Sequence, residues 1–150
     1  DADVCAPPTK APDWKEGSTL AYLIDFLDPV SGVPEFRVYY QDAPFDAPIS
    51  HAHPDLLAEK SVDLAIVNGG NYEQVADHPT PILSALQPRF AILGHWENFF
   101  RPQDQPIEPL PMLDTGELLS RMEAAMPVAA GEPPRHWLPL PGEDHVFPSE

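Results

Sequence analysis

The segment Phe90-Ala-Ile-Leu-Gly-His-Trp-Glu-Asn-Phe-Phe100 decides how this chain is read. Phe90 to Leu93 form an apolar run of strand length, as expected of a strand covered on both faces. Gly94 lets the backbone approach a neighbour closely. His95 follows at once, so the strand's carboxyl end fixes the direction of an imidazole, the side chain most often found on zinc and similar metals. A histidine that merely closes a strand with a hydrogen bond has the same local sequence, and composition does not separate the two readings.

Working outward, Val62-Asp-Leu-Ala-Ile-Val67 reads as a second compact strand, ended by the turn Asn68-Gly-Gly-Asn71. Pro79–Gln87 reads as a helix with prolines in its first turn, so 62–95 form a β-α-β unit. The turn is too short for a phosphate-binding loop and no lysine follows it, which rejects nucleotide binding. Upstream, Gly17–Phe26 is expected to be a buried strand. A turn at Asp28–Pro34 leads into Phe36-Arg-Val-Tyr-Tyr40, and the hairpin's second strand ends at Gln41-Asp42. Pro54–Lys60 reads as a short helix. Residues 114–126 read as the clearest helix, with Asp114 and Glu117 at capping-box spacing and Leu118, Leu119, Met122 and Met126 on one face. A short strand is expected around His136–Leu140. Strands alternating with helices predict a layered α/β fold with its chemistry at the carboxyl ends of the strands, where Asp42, Asn68 and His95 all fall.

Composition bounds the function. The chain has 150 residues, 43% hydrophobic and 9% aromatic, enough for one domain with a real core. Eight Lys and Arg against 24 Asp and Glu give a net charge of −16, which repels nucleic acid and anionic membrane surfaces. No apolar run approaches the roughly 20 residues that span a bilayer, so the chain reads as soluble. Cys5 is the only cysteine, which excludes an internal disulfide and a cysteine-cluster metal site. Twenty-one prolines, about three times ordinary usage, concentrate in Ala6–Pro12, Pro102–Pro111 and Pro127–Pro141. Three regions follow: a proline-rich arm over 1–16, an α/β body over 17–126 and a proline-rich tail over 127–150. A start at Asp1-Ala2-Asp3 rather than Met is expected of a mature exported product or of a segment of a longer chain.

The run from Val62 through the glycine turn to Pro81-Ile-Leu-Ser-Ala-Leu-Gln-Pro-Arg-Phe-Ala-Ile-Leu-Gly-His-Trp-Glu-Asn-Phe-Phe100 resembles the C-terminal half of a metallo-β-lactamase-fold hydrolase. The resemblance covers roughly residues 17–126. It implies half of an αββα sandwich, a mixed sheet with helices on its outer face. It also implies a dinuclear divalent-metal centre, zinc before other metals, whose bridging hydroxide attacks a small-molecule substrate, with Asp42 bridging the ions and His95 filling one terminal position. Gln41 stands before Asp42, where a glycine is more usual in this superfamily. The superfamily's His-x-His-x-Asp-His run should precede the bridging Asp, yet no His lies upstream of Asp42. The remaining ligands are therefore expected from an N-terminal half, on the same precursor or a separate chain. The sheet face that packs on that half is expected to be exposed and to drive pairing with it or with a second copy.

Other candidates compete. His51-Ala-His-Pro-Asp-Leu56 places two imidazoles at i and i+2, and a self-contained metal site of His51, His53, Asp55 and His95 is one alternative; a polar loop entering a helix is the other. Glu97 suits a carboxylate orienting His95 from behind, or simple exposure. His78, beside Pro79, reads as a surface loop residue, and His136 and His145 have no partner spacing. Trp96, Phe99 and Phe100 read as core or interface first and as pocket wall second. No serine has a nucleophile-elbow context. A non-catalytic binding or structural domain that keeps the hydrophobic skeleton is the reading from a different class.

Overall fold

The structure is a computed structural model that describes residues 9–10, 20–46, 51–102 and 104–147. Apart from two residues, the arm over 1–16 lies outside these, as do residues 17–19 of the first expected strand. The described residues form strands β1 (Ala21–Leu27), β2 (Pro34–Gln41), β3 (Leu64–Asn68), β4 (Phe90–Gly94) and β5 (His136–Trp137). Helices α1 (Pro54–Glu59), α2 (Thr80–Leu86) and α3 (Thr115–Ala125) connect them, with a 3₁₀ turn at Tyr72–Gln74. The strands stand in the order β1-β2-β3-β4-β5, β1 antiparallel to β2 and every later pair parallel. The expected α/β class with a mixed sheet is therefore present, and β5 lies in the segment read as a proline-rich tail.

Local chemistry sets the elements. The Asp28 carboxylate accepts from the backbone N–H groups of Val30 and Ser31 and from the Ser31 hydroxyl, closing the β1–β2 turn, and Gly32 takes the left-handed conformation it needs. His53 caps α1, its ring accepting from Asp55 N–H, and Pro54 opens the helix. Asp114 caps α3 by accepting from Glu117 N–H at 2.8 Å. The Glu117 carboxylate does not close the reciprocal half of a capping box but pairs with Arg121 and the Tyr72 hydroxyl.

Three successive parallel connections step the same way across the sheet, and the right-handed rule then stacks their helices on one face. Tyr39, Ala65, Val67, Ala91 and Leu93 point to that face and form the core with Ile82, Leu83 and Leu86 of α2 and Leu118, Met122 and Met126 of α3. The opposite face carries Tyr22, Ile24 and Phe26, then Phe36, Val38 and Tyr40, Leu64 and Ile66, Phe90 and Ile92, and Trp137, linked by register. Phe147 lies against Phe36, Phe90 and Trp137 at 5.4–5.7 Å between ring centres, and His145 stacks on Trp137. That covers the end where β2 and β4 begin. The β1 column stays open: Tyr22 is 47%, Ile24 45% and Phe26 59% exposed. This corrects the expectation of a buried first strand. An apolar run records what a strand can bury and carries no information about whether a partner is there to bury it.

A charged node fixes the end of the sheet where β2 and β3 begin. Arg37, 2% exposed, meets the Asp25 carboxylate through Nε at 2.6 Å and through its second terminal nitrogen at 2.8 Å. Its remaining nitrogen donates to the carbonyls of Leu56 and Lys60. Asp63, equally buried, accepts from Arg37 N–H and pairs with Lys60 and Arg89. Burial alone would raise the Asp63 carboxyl, yet these donors hold it below its ordinary 3.8; the Arg37 bond likewise lowers Asp25. Removing Arg37 strands Asp25 and two carbonyls, so Arg37→Ala is expected to cost about 2–4 kcal/mol in urea unfolding. A loss under about 0.5 kcal/mol, the scale of an ordinary surface substitution, would refute a structural role for the node.

Candidate functional site

The carboxyl ends of β2, β3 and β4 bring together Asp42, Asn68 and His95. The side-chain amide nitrogen of Asn68 donates to the backbone carbonyl of Asp42 and stands 3.2 Å from His95 Nδ1. Asn68 is 5% exposed, whereas Asp42 and His95 are exposed. The Tyr40 hydroxyl donates to the Asp42 carboxylate at 3.3 Å, and burial, then the Asp42 charge, raises Tyr40 above its ordinary 10. His95 has φ +55°, the left-handed conformation that takes its chain out of β4. Asn71, Asp77, Gln87 and Met112 share a positive φ, so backbone strain alone does not single His95 out.

Two glycines follow Asn68, and the second borders the His95 ring. Gly69 N–H bonds the Gly94 carbonyl at 2.9 Å, and a Cβ on Gly69 would lie 3.2 Å from Leu93 Cδ1. A Cβ on Gly70 would lie 3.2 Å from Asn68 Oδ1 and 3.4 Å from His95 Cδ2. In front of His95 is a cavity of about 260 Å³ walled by Phe99, Phe100, Leu110 and Met112, with Glu73 on its rim. The Phe99 ring meets the His95 ring edge-on at 5.0 Å. Trp96 takes the other role, buried with its indole N–H donating to the Pro139 carbonyl at 3.0 Å.

The other sequence candidates fall elsewhere. Glu97 pairs by its backbone with Pro109 and lines a different hollow, with Arg101 and Ile107; the bond at His95 Nδ1 is with Asn68. His53 is engaged in capping α1, and Asp55 lies in that helix's first turn. Among the described residues no group of three or more His, Cys, Asp or Glu is placed to hold a metal, and His51, His53, Asp55 and His95 do not form one. Asp42 and His95 offer one carboxylate and one imidazole, short of the three or four protein ligands of a zinc site. The described residues therefore do not complete a metal centre, and no catalytic step follows from them alone.

His78 corrects the surface reading. It is buried, its Nε2–H donating to the Asn68 carbonyl at 2.8 Å, while its own carbonyl accepts from Arg121. A histidine flanked by Asp77 and Pro79 looks like loop in sequence, and only the packing of α2 and α3 against β3 encloses it. No family model matches the chain, and neither does any curated protein or solved structure. Among the described residues no helix is long and apolar enough to cross a membrane.

Burial pushes His78 below its ordinary 6.5, the Asn68 carbonyl opposing and Arg121 adding to the shift. The unfolded chain thus takes up this proton first as pH falls. The His78 contribution is whole above about pH 6.5 and is lost as pH drops through the folded value. Burial depresses His136 in the same direction. The urea midpoint is expected to fall between about pH 7.5 and about pH 5, less so in His78→Gln. An equally steep fall in that variant would exclude His78 as a source.

Proposed function

We propose that this chain is the C-terminal half of a metallo-β-lactamase-like αββα sandwich and contributes Asp42 and His95 to a metal-dependent hydrolase centre completed by another segment or chain. The observation that carries the reading is the one-sided sheet. Every helix packs on one face, while the other is apolar across five strands and open along β1. Such a face calls for a second sheet, packed about 10 Å away. The two candidate ligands stand at the carboxyl edge of this sheet, where a partner sheet's loops would meet them.

When bound, a metal in such a centre would lower the pKa of a coordinated water and polarise the bond under attack. The chain's own contribution would be one carboxylate, one imidazole and an apolar wall of Phe99, Phe100 and Met112. The wall suits a substrate with an apolar group beside the scissile bond; ester, amide, phosphodiester and lactam chemistry all fit that description. The incomplete ligand set favours one competing reading, a non-catalytic domain that retains the skeleton.

Native mass spectrometry with metal analysis tests both. A dimer or a heteromeric complex that retains zinc or a similar divalent ion is expected. Ile24→Glu on the open face should abolish assembly. Asp42→Ala and His95→Ala should leave assembly intact and weaken metal binding about tenfold or more. A metal-free monomer indifferent to Ile24→Glu would sink the hydrolase proposal, whereas assembly with metal content unaffected by Asp42 and His95 would favour the non-catalytic domain.

A further inference from the structure

Asn68 has two N–H bonds on its side-chain nitrogen and two acceptors within reach, the Asp42 carbonyl oxygen and His95 Nδ1 at 3.2 Å. A backbone carbonyl can only accept, so the amide must face it with nitrogen; turned over, it would set oxygen against oxygen. That orientation makes His95 Nδ1 the lone-pair nitrogen, and the neutral ring then carries its proton on Nε2. The arrangement leaves Asn68 Oδ1 buried without a partner. Gly70 keeps the pair uncrowded, since any side chain there would press on both Oδ1 and the imidazole.

We infer that Asn68 is a positioning residue that sets the tautomer of His95 and thereby decides which ring nitrogen is free to act. A metal-bound imidazole commonly donates its second N–H to a carbonyl or carboxylate, which is the reverse of what Asn68 imposes. With Asn68 as it stands, His95 Nε2 is an N–H donor rather than a ligand. Loading Nε2 requires its proton to leave to solvent and another to settle on Nδ1. Asn68 must also turn its unpartnered Oδ1 toward that N–H, which sets oxygen against the Asp42 carbonyl and obliges the backbone there to swing away. One side chain thus couples the backbone at Asp42 to the ligating capacity of His95. Only this loading step rests on the hydrolase reading; the tautomer does not.

The test is long-range ¹H–¹⁵N correlation NMR of the full chain at a pH where His95 is neutral, its signals identified by their loss in His95→Gln. The wild type is expected to show an unprotonated Nδ1 and a protonated Nε2. Asn68→Ala should give a mixture of tautomers. Asn68→Asp, whose carboxylate accepts from Nδ1–H, should move the proton there and bind zinc about tenfold more tightly than the wild type. A wild-type ring protonated on Nδ1, or one tautomer unchanged across the three chains, would overturn the assignment. The wild-type spectrum needs no variant to fold. A protonated Nε2 with zinc bound no more tightly by Asn68→Asp than by the wild type upholds the tautomer role and overturns the loading step alone.

Discussion

The register between β2 and β3 is the constraint on which the rest depends. It is held at the starting end of the strands, where Arg37 and Asp63 share a buried set of hydrogen bonds and ion pairs. Side chains alternate between faces, so a slip of one residue would turn every core position outward. With that end fixed, Val38 meets Leu64 and Tyr40 meets Ile66, and Ile66 meets Ile92 one strand on. Asp42, Asn68 and His95 are then delivered to the opposite edge by counting along the strands. The charged node and the candidate site are the two ends of one ruler.

The α/β class and most of the elements were legible in the chain because its strands are short apolar runs bounded by turn residues. Val62–Val67 and Phe90–Leu93 carry the signal of covered parallel strands, and the Asp114 cap with Leu118, Met122 and Met126 marks α3 without ambiguity. The exposure of β1 was not legible in the run itself, since Ala21–Leu27 is as apolar as a covered strand would be, and only the resemblance to half of a sandwich implied an open sheet face. Nor was the enclosure of His78, which depends on Asn68 and Arg121, both distant in sequence.

At the site, the sequence placed Asp42, Asn68 and His95 at strand ends but could not say which of them touch. Their contact depends on β3 lying between β2 and β4, and strand order is a tertiary fact. The middle strand's terminal residue therefore holds both neighbours, a role that an Asn before two glycines does not announce. Glu97 shows the converse. Its position two residues beyond His95 suggested support for the imidazole, but the chain leaving β4 turns it toward another hollow.

The outer margin of β1 leaves the backbone of Ala-Tyr-Leu-Ile-Asp-Phe-Leu without a neighbouring strand among the described residues. Such edges are guarded by charges, prolines, bulges or covering segments; the only charged residue in β1, Asp25, is turned inward to Arg37, and its one irregularity falls at the far end, between Phe26 and Leu27. A collective guard remains: a net charge of −16 opposes the approach of two copies at long range, a repulsion any pairing through this sheet must outweigh. That protection is colloidal rather than steric, and it shortens from about 30 Å to about 3 Å between 0.01 M and 1 M salt. Among the described residues, then, how well this margin is kept from pairing depends on the medium as much as on the fold.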